Sequence, residues 1–250
     1  MIIDQAAKEN ILKAARTEFS LRGFSGARLA VIAENAGVNK ALIHYYFKNK
    51  DLLYENVWES FFMLDDNLEN VPVYFDNISF TIPEKLYIYI YIMVNLNIKF
   101  IDLEFINTFL WELAEGGRFL EKFRDKHFSP SHKFFDSILE AGQKEKIFDL
   151  KHKDMIHLGM SSTTFFYKIE QSRDSQQSYW KILSKNNEDF LDYMVTYVFK
   201  MLSQEGNTIP IPEIKQEILE YINKLLHMDS GKLSLPVSRR ILEFLCSDLV

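Results

Sequence analysis

Cysteine is nearly absent: Cys246 is the single one in 250 residues, which rules out an intramolecular disulfide and any zinc site built from several thiolates. A reducing compartment follows most simply, so the cytoplasm is the expected location. Turn-formers are scarce as well. Nine Gly and six Pro are too few for the tight corners of a sandwich or barrel, and an all-α fold is expected. Long apolar runs are missing. The most apolar stretch, Tyr87 to Val94, is far short of the roughly 20 residues needed to cross a bilayer, so no membrane segment is expected. Asp4, Lys8 and Glu9 interrupt the start of the chain where a secretion signal would be apolar, and export is not expected. The six histidines, at positions 44, 127, 132, 152, 157 and 227, form no HExxH motif, and the nearest pairs fall on opposite faces of a helix. No catalytic residue, metal site or cofactor is expected, and the chain does not read as an enzyme.

What is present is ordinary for a globular protein, with 47% hydrophobic and 26% charged residues, and the length suits two unequal domains. The formal charge of -6 is unevenly spread: residues 1–56 carry a net +2, leaving -8 for the rest. The cationic end is therefore the start, although charges scattered over solvated helix faces would look the same.

Apolar spacing predicts a first helix from Ala6 to Leu21, stopped at Gly23, with Phe24 folding back on it. A second, short helix carries Leu29, Ile32, Ala33 and Ala36 and ends at Gly37. Asn39 suits the N-cap of a third, Lys40 to Phe47. Asp51 opens a fourth that ends before Pro72. Further helices are predicted from Pro83 to about Phe100, Leu103 to Gly116, Pro130 to Lys146, Asp154 to Gln171 and Asn187 to Gln204. Thr81 is placed to cap the first of these, with Pro83 and Glu84 in its opening turn. Within it, YIYIYIMV alternates like a strand, but no partner strand lies near, so a helix buried on most sides is the reading taken. Residues 206–212 read as a linker, and two short helices follow, at about Glu213 to His227 and Pro236 to Asp248.

At about 100° per residue, Ile43, Tyr46 and Phe47 share one side of the third helix and can pack inward. The other side presents Ala41, His44 and Tyr45, with Leu42 at its edge, a surface too apolar and aromatic for water alone. A major groove would suit it. Leu42 or Ala41 could touch a thymine methyl, His44 and Tyr45 could bond to base edges or phosphates, and Asn39, Lys40, Lys48 and Lys50 add positive potential. By spacing alone, an amphipathic helix packed on its own protein fits equally well.

The segment from Ile32 to Leu53, IAENAGVNKALIHYYFKNKDLL, resembles the signature of the tetracycline-repressor (TetR) family, roughly IAxxAGVSKGTLYHYFxSKExLL, and the helix before it resembles that family's first. The resemblance implies an N-terminal three-helix helix-turn-helix domain at 1–50, a larger helical ligand-binding and dimerisation domain at 51–205, and an atypical extension at 206–250. It implies a homodimer on double-stranded operator DNA, commonly a repressor, released by a small-molecule effector. Position by position, it points to Ala41, Leu42, His44 and Tyr45 on bases, with Lys40, Tyr46 and Lys50 on phosphates. Two departures stand out. Ala27-Arg28 replaces the usual Ser or Thr opening the second helix, so a capping hydroxyl is lost and Arg28 becomes the candidate phosphate contact. Ala41-Leu42 replaces the usual Gly-Thr, exchanging a polar contact for an apolar one.

Beyond the fourth helix only the helical rhythm is legible. Dimerisation is expected through the last two long helices, with Phe190, Leu191, Met194, Val198 and Leu202 as the seam. With 21 Phe, 12 Tyr and 8 Met, an aromatic and thioether pocket for a largely apolar or aromatic effector is expected. Phe62, Phe109, Trp111, Phe165 and Phe166 are candidates, with plain core packing as the other reading of each. The extension either packs on the fold or recruits a protein partner in place of effector sensing.

Overall fold

The computed structural model describes residues 2–62, 78–172, 186–227 and 235–249. In chain order the helices are α1 (Ile2–Gly26), α2 (Leu29–Asn35), α3 (Lys40–Phe47), α4 (Lys50–Phe62), α5 (Ile82–Phe100), α6 (Leu103–Ala114), α7 (Leu120–Phe123), α8 (Ser129–Lys144), α9 (Lys153–Gln171), α10 (Asn187–Leu202), α11 (Gln216–His227) and α12 (Leu235–Leu245). A π-helical turn, Arg124–Phe128, continues α7. The fold is all-α, and no strand occurs among the described residues. No single helix among them is long and apolar enough to cross a membrane. The expected end of the fourth helix, Leu64 to Pro72, lies outside the described residues. The helices form two compact units, residues 1–63 with 102–128 and residues 64–101 with 129–250.

The first unit packs α1, α2, α3 and α4 around Ile11, Phe19, Ile32, Ile43, Phe47, Leu53 and Trp58, all buried. Glycine matters at two points. Gly37 has φ 66°, and its N–H and that of Val38 close back on Glu34 and Ala33 at 3.1 and 2.9 Å, ending α2 in the left-handed turn that sets the entry to α3. Gly23 has φ 67° and breaks the end of α1, where a Cβ would lie 2.7 Å from Glu115 Oε1 on the α6 side. Arg118, Lys122 and Lys126 pair with Asp51, Glu55 and Glu59 at 2.7, 2.6 and 2.8 Å, a ladder in which both partners advance four residues per rung. Each rung is exposed and contributes little alone, about 0–1 kcal/mol, but together they fix the register of α4 against the segment holding α7.

Beneath this ladder lies Glu112, a carboxylate 2% exposed. Tyr54 Oη donates to one of its oxygens at 3.0 Å and the Phe119 N–H to the other at 2.6 Å. Burial pushes the Tyr54 hydroxyl well above its ordinary range, so it stays a donor. Glu112→Ala strips both donors of their acceptor in a dry site and is expected to cost about 3 kcal/mol, since each orphaned buried group costs about 1–3. Chemical denaturation measures it, and a loss under about 0.5 kcal/mol, within the range of an ordinary surface change, would contradict this account.

The second unit is built on α5. Thr81 and Glu84 form a reciprocal capping box, with the Thr81 N–H donating to Glu84 at 2.7 Å. YIYIYIMV is helical: Ile88, Tyr89, Ile90 and Ile92 are wholly buried, and the alternation reflects burial on most sides of one helix. Around α5 pack α8, α9, α10 and α12. The extension joins this core through Ile218, Ile222, Leu225 and Leu226 of α11 and Ile241, Leu242 and Leu245 of α12. The expected seam requires correction. Phe190, Met194, Val198 and Leu202 are 7%, 0%, 0% and 0% exposed within this chain's own core, and half-buried Leu191 packs against the same core. Their spacing reports a buried face, and the face is covered by α5 and its neighbours.

Candidate nucleic-acid interface

The third helix is anchored by two side chains and capped by a third. Ile43 and Phe47 are 1% and 2% exposed, while Asn39 Oδ1 accepts the Leu42 N–H at 2.9 Å, satisfying one of the free donors of the first turn. This fixes which face is left over. Lys40, Ala41, His44 and Tyr45 are exposed, Tyr45 at 74%, with Leu42 half-buried at the edge. Tyr46, expected inside, is half-buried and stands edge-on to Tyr45, ring centres 5.1 Å apart. His44 Nδ1 lies 2.9 Å from the Lys48 carbonyl, which holds the imidazole near the end of the helix and leaves Nε2 outward. Lys48 itself takes φ 61° and is exposed.

The start of α2 is tied down from elsewhere. Arg28 occupies the N-cap with no side-chain cap bond, and its backbone N–H instead donates to Glu18 Oε1 at 3.1 Å from the body of α1. Glu18 is 7% exposed, so this cap is internal and leaves the Arg28 guanidinium exposed on the surface. Nothing local in the sequence signals it, because the partner lies ten residues upstream. Lys50 is less free than the sequence suggests. Its Nζ reaches the Ser25 carbonyl at 3.4 Å and sits 4.9 Å from the centre of the Phe24 ring, and burial lowers its pKa against the opposing pull of Glu115, Asp51 and Glu18. Asn49 Oδ1 accepts the Leu52 N–H at 2.8 Å, so α4 opens one residue earlier than the expected Asp51.

The five aromatic candidates for an effector pocket are not gathered at one site. Phe62 stacks on His127 at 4.2 Å, Phe109 lies near Trp58 at 6.5 Å, and Trp111 is 41% exposed beside Gly23, all in the first unit. Phe165 and Phe166 belong to the second, where Phe166 is 57% exposed. A cavity in the second unit is instead lined by Tyr89, Met93, Val94 and Asn97 of α5, His132 of α8, and His157, Met160, Ser161 and Thr164 of α9. None of the five lines it. Residue type alone does not tell which helices converge on a cavity.

His132 and His157 meet there edge to face, ring centres 4.1 Å apart. Burial, with the His157 ring adding to it, pushes His132 down to about 4; burial lowers His157 too, against the pull of Asp136 and Asp154. Unfolded histidines near 6.5 therefore take up protons before the folded ones can. Stability is full above about 6.5 and falls as pH drops toward about 4. Thermal melts across that window are expected to show the decline, with His132→Leu shallower. An unchanged slope in that variant would place the titration elsewhere.

Residues 11–57 match the family described as bacterial regulatory proteins, tetR family. Over 49 residues the chain is 53% identical to the HTH-type transcriptional regulator RutR of Escherichia coli (strain K12), covering 20% of this chain and 23% of that protein. Over 74 residues it is 43% identical to the HTH-type transcriptional repressor SCO4008 of Streptomyces coelicolor, covering 30% of this chain and 38% of that one. The match thus spans about a quarter of the first relative's length. The fold is similar to that of HlyIIR, a hemolysin II transcriptional regulator, with a TM-score of 0.55 and 24% identity over 78% of this chain and 97% of that one.

Proposed function

We propose that the chain is a member of the tetR family, which its residues 11–57 match, and that it is a cytoplasmic, sequence-specific DNA-binding regulator of transcription. It acts as a homodimer, represses by occupying its operator, and leaves when a small, largely apolar or aromatic effector binds. The observation that carries this reading is the split of α3: two side chains sealed in the core, and Tyr45 at 74% exposure on the far side. Ala41, Leu42, His44 and Tyr45 read base edges, while Arg28, Lys40, Lys48 and the helix start at Asn39 sit on phosphates. Release requires an effector that binds two states of the dimer unequally, altering the spacing of the two recognition helices through α4, which starts three residues after α3.

Selection of bound duplexes from a random pool tests the reading, and a pool that yields no enriched sequence would sink it. Given the selected site, Tyr45→Ala is expected to lower the ratio of specific to non-specific affinity about tenfold or more while leaving the melting temperature unchanged. Lys48→Ala is expected to weaken all duplexes alike and to reduce the salt slope by about one. Lys50→Ala is the poorer probe, because it also removes a contact to Ser25 and Phe24.

A further inference from the structure

The cavity between α5, α8 and α9 has three properties that together specify an occupant. First, Tyr89 is wholly buried, lines the cavity, and its hydroxyl has no hydrogen-bond partner among the described residues. An unpaired buried hydroxyl is costly to keep, and a ligand that reached it from the cavity Tyr89 lines would supply the partner it lacks. Second, no Lys, Arg, Asp or Glu is among the described lining residues. Just outside the lining, Asp136 is engaged by Lys153 at 2.8 Å. Third, the polar lining offers both donors and acceptors. Asn97 uses its amide N–H on the Met93 carbonyl, which leaves its oxygen as an acceptor, and Thr164 donates to the Met160 carbonyl, which leaves its hydroxyl oxygen accepting. Met93, Val94 and Met160 supply an apolar wall.

We propose that this cavity is a ligand site for a small, uncharged molecule with a hydrogen-bonding group on an apolar ring, phenol being the simplest such shape. A permanent anion would find no lysine or arginine, and a cation no carboxylate, so either would be desolvated without compensation. The cavity measures about 30 Å³, room for about one or two waters, so an aromatic ring enters by moving the two flexible methionines. Ser161, exposed at the rim, marks the mouth. The proposal names the effector chemistry of the regulator proposed above, and its biological meaning rests on that reading.

The test is calorimetric titration of the full chain near neutral pH with three single-ring probes of similar size: phenol, benzoate and benzylamine. Phenol is expected to bind saturably, and the two ions at least about tenfold more weakly. Tyr89→Phe is expected to melt at the same temperature or higher, having lost an unsatisfied hydroxyl, and yet to bind phenol about tenfold more weakly. Ser161→Trp, a change at an exposed position, is expected to block phenol without disturbing the fold. Either ion binding as tightly as phenol, both variants binding phenol as the unaltered chain does, or no saturable phenol binding would overturn the proposal. Each of those leaves the DNA-binding reading untouched. Phenol that binds but does not change affinity for the selected duplex would instead sink the effector role and leave the site standing.

Discussion

Removing residues 206–250 is expected to unfold the second unit rather than trim it. Ile209, Ile218, Ile222, Leu225, Leu226, Ile241, Leu242, Leu245 and Cys246 are each no more than 8% exposed, and the α11 and α12 members belong to the same cluster as α5 and α10. Burial of each aliphatic side chain contributes about 1.5–3 kcal/mol, so the eight together supply a gross burial of about 12–24 kcal/mol, as large as the ~5–15 kcal/mol net stability of a whole domain, and their loss leaves the faces of α5 and its neighbours bare. Polar ties go with them. Asp248 answers the ammonium of Lys85, a residue 3% exposed, and Asn223 bonds to the Tyr91 hydroxyl. The expected result is aggregation, or loss of helical signal without a cooperative melt for this unit. A truncated chain that stayed folded and dimeric at an unchanged melting temperature, and lost only a protein partner, would favour an extension that recruits.

The first unit was far more legible in the sequence than the second, and the reason is physical. Caps and turns are local: Asn39 and Leu42, Thr81 and Glu84, and Gly37 all act within three or four residues, so a linear reading finds them. The Glu18 cap on Arg28 spans ten residues and the Tyr54 to Glu112 bond spans 58, and neither leaves a periodic trace. The short α7 and its π-helical turn escaped for a similar reason. Their place is fixed by the charge ladder to α4 and by aromatic packing such as Trp58 on Phe123 at 5.2 Å, not by an apolar repeat. In the cavity, His132 and His157 are 25 residues apart on separate helices, a pairing that only the fold creates. The five aromatic candidates illustrate the converse, since residue type signals burial or lining in general but not convergence.

Replacing Leu158 and Phe166 together by Glu is expected to give a folded monomer whose affinity for the selected duplex is lower by about two orders of magnitude or more. With Phe190, Met194, Val198 and Leu202 inside the chain's own core, the apolar surface left on the last two long helices is a neighbouring stripe. On α9 it comprises Met155, Leu158 and Phe166, at 56%, 59% and 57% exposure. On α10 it comprises Tyr193 at 55% and Met201 at 37%, with Tyr197 between them in the four-residue rhythm. Gly159 joins the two: a Cβ there would sit 2.3 Å from Tyr197 Oη, so glycine is what lets that tyrosine cross close over α9. Exposed apolar residues clustered over two helices mark a partner-binding face, and the arrangement suits a four-helix seam with a second copy. Two glutamates per chain would then bring four carboxylates into one desolvated patch, while costing the isolated chain little because both positions face water. Each monomer would retain one recognition helix and lose the coupling between half-sites. Met194→Glu serves as the contrasting variant. Met194 is 0% exposed, so a carboxylate there is expected to unfold the unit rather than to separate intact protomers. Sedimentation with a thermal melt distinguishes the two, and a double variant that remains a dimer would exclude this face as the seam.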